Sequence, residues 1–163
     1  MKRVFVCSPY SGNTEKNIRI AREYCRVLAE KGFSPYAPHL YMPDAMGDKA
    51  DSDKRKRNLG IECGLAWLNA ADFIVVAATG YRDVAITEGM RREIDHARDR
   101  LKLPVIWQPS PEDLEAVLTA AMRVRKLYMP RGRKRDALAS CQGAKRAEVE
   151  AVIDYLDSVG LTK

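Results

Sequence analysis

The chain is predicted to be an α/β protein, an open parallel sheet with helices on both faces and more helices at its C-terminal end. Three observations lead there. The runs at 4–7, 73–78 and 104–107 are apolar at nearly every position, as expected of parallel strands buried on both faces rather than half-buried alternating ones. Between them lie segments whose apolar residues recur at helical spacing. Each intervening segment is long enough for the crossover that parallel pairing requires.

The elements follow in order. Val4-Phe5-Val6-Cys7 is the first strand, broken by Ser8-Pro9. A helix follows from about Thr14, with Ile18, Ala21, Tyr24, Cys25 and Leu28 on one face, and Gly32 ends it at the C′ position. Residues 33–40 form a second strand, irregular or at an edge because of Pro35 and Pro38. Residues 42–52 are polar and turn-rich and read as a loop over a site. Leu59, Cys63, Ala66, Trp67 and Ala70 mark the next helix, and 73–78 the central strand. A helix opening at Thr87 carries Met90, Ile94, Ala97 and Leu101 on one face, and 104–107 is the fourth strand. This β-α-β-α-β-α-β order is that of a three-layer, flavodoxin- or Rossmann-like sheet. After Gln108 the strand pattern stops. Residues 111–128 and 144–159 are amphipathic and helical, joined by a basic loop around Arg131. The expected division is a core of 1–107 and a helical extension of 108–163, packed on that core or at a dimer interface.

At 163 residues, with 46% hydrophobic and 31% charged residues, the chain suits a soluble domain with a sizeable core. No apolar run approaches the ~20 residues of a membrane span. The N-terminal apolar stretch is too short for a signal peptide, so the expected location is the cytoplasm. The four cysteines show no metal-ligand spacing and read as free thiols, Cys141 lying in a loop. Neither a metal nor an organic cofactor is expected. The net charge of +6 is concentrated at Lys54-Arg55-Lys56-Arg57 and Arg131-Gly132-Arg133-Lys134-Arg135, which read as solvated surface. Neither run is interleaved with the aromatic residues of a base-stacking surface, which argues against nucleic acid as the partner.

In open parallel sheets, ligands collect beyond the carboxyl ends of the strands. Three loops leave those ends: Ser8 to Asn13, Pro38 to Tyr41, and Gly80 to Gly89. The first offers hydroxyls and a glycine just before a helix, which suits a phosphate but equally a turn and an N-cap. It matches neither G-x-x-x-x-G-K-[ST] nor G-x-G-x-x-G. His39 is either a hydrogen-bonding residue of the fold or a ligand contact, and His96 sits on a charged, solvated helix face. Glu93 lies on the flank of the apolar face of its helix. It is either a nucleophile reaching into a cleft or an acid favoured near a helix N-terminus.

Four segments carry a family resemblance: SPYSGN after the first strand, YAPHLYMP after the second, GLAWLNAADFIVVA through the third, and TEGMRREIDHA. Across 1–107 the chain resembles the nucleoside 2-deoxyribosyltransferase superfamily, including the 2′-deoxynucleoside 5′-monophosphate N-glycosidases, and is most similar to an uncharacterised bacterial and phage branch. The strongest element is hydroxyl-x-Gly-x-x-x-Glu-Ile/Leu-x-x-Ala, met by Thr87, Gly89, Glu93, Ile94 and Ala97. The resemblance implies a deoxyribosyltransferase-like fold, a nucleotide or nucleoside substrate, a homo-oligomer, and Glu93 as nucleophile. It implies that Ser8, Tyr10, Ser11, Gly12 and Asn13, with Thr87, Gly89 and Met90, hold the substrate and that His39 orients it.

One position departs from the family. Gly64 stands where active members carry an aspartate that assists the leaving base. Asp72 matches a different aspartate with a structural role, and Glu62 is at the wrong helical offset to substitute. The expected function is therefore an N-glycosidase or deoxyribosyltransferase. The alternatives are a non-catalytic nucleotide-sensing module on the same fold and, third, a nucleic-acid-binding accessory protein.

Overall fold

The computed structural model describes residues 1–47, 53–77, 86–103 and 105–108, with positions 111, 114–116, 118 and 119. The chain divides into two compact units, Met1–Pro111 and Glu112–Lys163. In the second, Leu114 and Leu118 are buried at helical spacing. The basic loop at Arg131, Cys141 and the helix expected at 144–159 lie outside the described residues.

The first unit is a four-stranded parallel sheet with flanking helices. In chain order its elements are β1 (Arg3–Cys7), α1 (Thr14–Glu30), β2 (Ser34–Tyr36), a 3₁₀ turn (Pro38–Leu40), α2 (Met42–Met46), α3 (Lys54–Leu68), β3 (Phe73–Ala77), α4 (Glu88–Asp95), a π turn (His96–Arg100) and β4 (Val105–Gln108). The strand order is β2-β1-β3-β4. β1 and β3 are central, pairing Val4 with Phe73 and Val6 with Val75. All five residues of β3 are buried, each large one contributing about 1.5–3 kcal/mol of apolar burial.

Strand alternation splits the core into two layers. Phe5, Cys7, Ile74 and Val76 pack with Leu68, Met90, Ile94 and Ala97. α1 packs on β1 and β3 and buries Ala21, Tyr24, Val27 and Leu28. It ends in a Schellman cap: the Phe33 N–H donates to Leu28 O and the Gly32 N–H to Ala29 O, each at 3.0 Å. Gly32 takes φ +85°, which a glycine adopts without strain. Asp72 ties β1 to the start of β3, accepting from the Arg3 N–H at 2.7 Å with Lys2 Nζ at 3.5 Å. Burial alone would raise its carboxyl, but the Arg3 N–H and the two cations outweigh that and hold it below the ordinary value.

The structure corrects four expectations. The second strand stops at Tyr36, because Pro38 opens a 3₁₀ turn with its ring at a position that needs no N–H donor. Pro35 is accommodated because β2 is an edge strand. The expected loop at 42–52 begins as a short helix with Pro43 in its first turn, and 48–52 lie outside the described residues. The third helix starts five residues before Leu59, the first residue of its expected apolar pattern, at Lys54, where Asp53 Oδ1 accepts from the Arg55 and Lys56 N–H groups at 2.9 and 3.3 Å. Lys54 to Arg57 are thus the first turn of α3.

The fourth correction concerns which side of α3 is inside. Gly64 and Leu68 are buried, whereas Leu59 and Trp67 are 50% and 56% exposed. The apolar stripe points outward, with Trp67 partly covered by the Tyr36 ring at 5.1 Å. The reason is the glycine side of the helix, which lies against Pro38 and Glu93. His96 is also engaged, its Nε2 lying 2.8 Å from Asn69 Oδ1. Among the described residues no helix is long and apolar enough to cross a membrane.

Candidate active site

From β1 the chain steps outward to β2, then returns to the other side of β1 for β3 and β4. The reversal leaves a crevice beyond the carboxyl ends of β1 and β3, where ligands bind in such sheets. A cleft occupies it. Tyr10 and Ser11 come from the loop after β1, and Pro38 and His39 from the turn after β2. Met42, Pro43 and Met46 come from α2, Lys56, Arg57, Gly60 and Ile61 from α3, and Thr87, Gly89 and Glu93 from the start of α4.

The loop after β1 is held by Asn17. Its Nδ2 donates to Tyr10 O at 3.2 Å and Ser11 O at 3.0 Å from a buried position on α1. Gly12 turns the chain at φ +91°. Asn13 is the N-cap, its Oδ1 accepting from the Lys16 N–H at 3.1 Å. Tyr10 stacks on His39, with ring centroids 5.8 Å apart and planes inclined by 26°. That contact joins the loops after β1 and β2 into one wall. Ser8 is fully buried at the end of β1, and its Oγ has no hydrogen-bond partner among the described residues.

The opposite wall is the start of α4. Thr87 is its N-cap, Oγ1 accepting from the Met90 N–H at 3.3 Å. The hydroxyl proton stays available to a ligand. At Gly89 an added Cβ would enter the space between Ile61 Cδ1, at 3.8 Å, and Thr87 Oγ1, at 3.9 Å. Glycine therefore leaves the cleft open beside the helix start. Glu93 follows one turn later on the same side.

Glu93 is only 3% exposed. Desolvation pushes its carboxyl up from 4.5 to about 7, against an opposing hydrogen bond from the Cys7 thiol. The Cys7 thiol is itself held in its neutral, donor form, by burial first and then by the Glu93 charge. Cys7 Sγ also donates to Met90 O at 3.8 Å, so its single proton is shared between that carbonyl and the carboxylate. Glu93 Oε2 has no hydrogen-bond partner among the described residues. Oε1 faces Gly64, where a Cβ would sit 3.7 Å from it. Glu62, two residues away, is exposed.

Of the residues singled out from sequence, the structure brings Tyr10, Ser11, His39, Thr87, Gly89 and Glu93 together around the cleft. It places the other four elsewhere. Ser8 is buried beneath the loop, Gly12 and Asn13 form the exposed turn and cap, and the Met90 side chain packs in the core. Residues 78–85, most of the third loop, lie outside the described residues. Sequence reasoning missed Lys56, Arg57, Gly60, Ile61 and the α2 residues of the lining, and Cys7 and Asn17 behind it. The recurrence of Lys56, Gly60 and Gly64 at every fourth position was the available signal for one wall. Among the described residues no group of three or more His, Cys, Asp or Glu is placed to hold a metal ion.

The chain belongs to the family described as Domain of unknown function (DUF7768), whose model matches residues 2–107. A search of curated proteins finds no match. Among solved structures, the chain is similar to a 2-deoxyribosyltransferase from the psychrotolerant bacterium Bacillus psychrosaccharolyticus, described as a biocatalyst for nucleoside synthesis. The TM-score is 0.51 and the identity 14%, over 69% of this chain and 90% of the other. At that identity the likeness establishes a shared fold, a deoxyribosyltransferase-like α/β sheet.

Proposed function

We propose that this DUF7768 chain cleaves the N-glycosidic bond of a nucleotide or nucleoside, with Glu93 as nucleophile. The observation that carries the reading is the Glu93 carboxyl: buried, lining the cleft, raised to about 7 and with one oxygen unpartnered among the described residues. Burying an acid in this way is costly for a fold, and strongly perturbed carboxyls in clefts cluster at functional sites. Its ionised oxygen bonds to the anomeric carbon while the carbon–nitrogen bond breaks. The electron pair leaves with the base nitrogen, which takes up a proton. The transition state is oxocarbenium-like and the product is a glycosyl ester of Glu93. Water then attacks the anomeric carbon, gives up a proton and releases the carboxylate. A second base in place of water makes the reaction a transfer.

The surrounding residues divide the remaining work. The Cys7 thiol steadies the carboxylate from below. The Ser11 and Thr87 hydroxyls contact the sugar or its phosphate. The Tyr10–His39 stack orients the ligand, and His39 is the cleft's imidazole for carrying a proton toward the leaving base. The expected setting is a cytoplasmic homo-oligomer.

The test is release of free base from a panel of deoxynucleosides and their phosphates, comparing wild type with Glu93→Gln. Release by wild type and its loss in the variant supports the reading. Release at the same rate by both removes Glu93 from the chemistry. One observation favours a second reading, a nucleotide sensor: Gly64 puts bare backbone against Glu93 Oε1, where the resemblance calls for a second acid. Ligands that raise the melting temperature and are recovered intact would support sensing.

A further inference from the structure

The lining of the cleft is uneven along α3. Lys56, Gly60 and Gly64 are four residues apart, so they lie in one row along the helix. Gly64 stands against the Glu93 carboxylate, with its Cβ position 3.7 Å from Oε1. Gly60 lies in mid-cleft, where a Cβ would meet only Met42 Cβ at 4.0 Å. Lys56 and Arg57 line the far end. From Gly64 to Lys56 is eight residues at about 1.5 Å each, so the row spans roughly 12 Å. Helical side chains lean toward the N-terminus, which carries the Lys56 ammonium further from Glu93 rather than nearer. The electrostatics agree: desolvation dominates at Glu93, and among the described residues no cation acts on its carboxyl, although one within about 4–6 Å would lower it.

The cleft therefore has an acid end and a cationic end, joined by a strip of glycine backbone that leaves room for a ligand to pass. Neither Lys56 nor Arg57 pairs with a carboxylate among the described residues. In a nucleoside 5′-monophosphate the phosphate is close to the anomeric carbon. With the sugar at Glu93 it would reach the Ser11 and Thr87 hydroxyls in mid-cleft and leave the two cations unused. A second and a third phosphate carry the chain on to them.

We propose that the ligand of this cleft is a nucleoside 5′-polyphosphate, with its sugar at Glu93 and its outer phosphates on Lys56 and Arg57. The placement of the sugar rests on the function proposed above; the recognition of the outer phosphates rests on the length and charge of the cleft. Lys56 gives a point charge and Arg57 a planar fork of donors, a pair suited to successive phosphates.

The test is calorimetric titration of the Glu93→Gln variant, which leaves bound ligand uncleaved, and of wild type in parallel. The ligands are a deoxynucleoside and its mono-, di- and triphosphate, at fixed ionic strength with chelator present. The four common bases are each tried. For at least one base, the dissociation constant is expected to fall at least about tenfold from mono- to triphosphate, a change of about 1.4 kcal/mol. Lys56→Ala and Arg57→Ala, both on the outer turns of α3, should erase that gain and change monophosphate affinity by no more than about threefold. Equal binding of mono- and triphosphate, a series unchanged in both variants, or no binding by any phosphate would overturn the proposal. Its failure is distinct from that of the glycosidase reading. Base release from nucleosides without a phosphate-length preference sinks only this proposal. Tight, Lys56-dependent triphosphate binding without base release sinks only the catalytic one.

Discussion

The two ends of the cleft are built on opposite terms. At one end Glu93 is buried, its carboxyl raised to about 7 and one of its oxygens unpartnered among the described residues. At the other, Lys56 is half-buried and Arg57 exposed on the first turn of α3, both without ion pairs among the described residues. The acid end costs the fold stability; the cationic end costs it almost nothing. A group held at a cost is one that the chemistry needs in that state, and a group held cheaply serves recognition. Mutations at the two ends should therefore differ in kind.

The largest expected effect is at the acid end. Glu93→Gln keeps the side-chain shape and removes the nucleophile, so base release should fall by at least about 10³-fold. A loss below tenfold, measured under saturating substrate, would break the comparison at its root.

The same variant should sharpen it through stability. In the unfolded chain the carboxyl ionises near its ordinary 4.5, and in the folded protein near 7. Between those values the unfolded state binds fewer protons, so stability falls as pH rises and levels off above about 7. The expected loss is about 3 kcal/mol. Urea denaturation from pH 4 to pH 8 should show this decline in wild type and a much flatter profile in Glu93→Gln. Charge-neutral variants at Lys56 and Arg57 should leave the wild-type decline in place.

Asn17→Ala tests the wall between the two ends. It removes both hydrogen bonds that hold the Tyr10 and Ser11 carbonyls. A destabilisation of about 1–3 kcal/mol is expected in urea denaturation, with weaker ligand binding. A stability change without any effect on binding would detach this loop from the site.

The smallest expected effect is at Cys7. Its thiol opposes the upward push on Glu93, so Cys7→Ala should move the acid limb of the kcat/KM profile to higher pH. An unmoved limb would show that the thiol packs beside the carboxylate without steadying it.

Much of this molecule was legible in the sequence. The wholly apolar runs located β1, β3 and β4, and the Gly32 cap located the end of α1. The loop after β1, His39, Thr87, Gly89 and Glu93 are marked in the sequence by their residue types beyond the carboxyl ends of strands, and the cleft gathers Tyr10 and Ser11 of that loop with the other four. The side of α3 that faces inward was not legible. Amphipathic reading looks for the side with the largest apolar side chains, whereas α3 turns glycines inward and leaves Leu59 and Trp67 exposed. That inversion also hid Lys56 and Arg57, which read as solvated charge because their place in a cleft depends on the turn after β2 and on α2. The burial of Glu93 was illegible for a similar reason. Spacing put it on the flank of α4, but its desolvation comes from β1 and the neighbouring helices, which no local pattern specifies.

The most direct test of the central claim is mass spectrometry of the protein quenched in acid during turnover, with the peptide bearing Glu93 followed. The account predicts a mass increase equal to the sugar portion of the substrate on Glu93 itself, formed as free base appears and absent in Glu93→Gln. A sugar adduct on another residue, or base release that persists undiminished in Glu93→Gln, would contradict it.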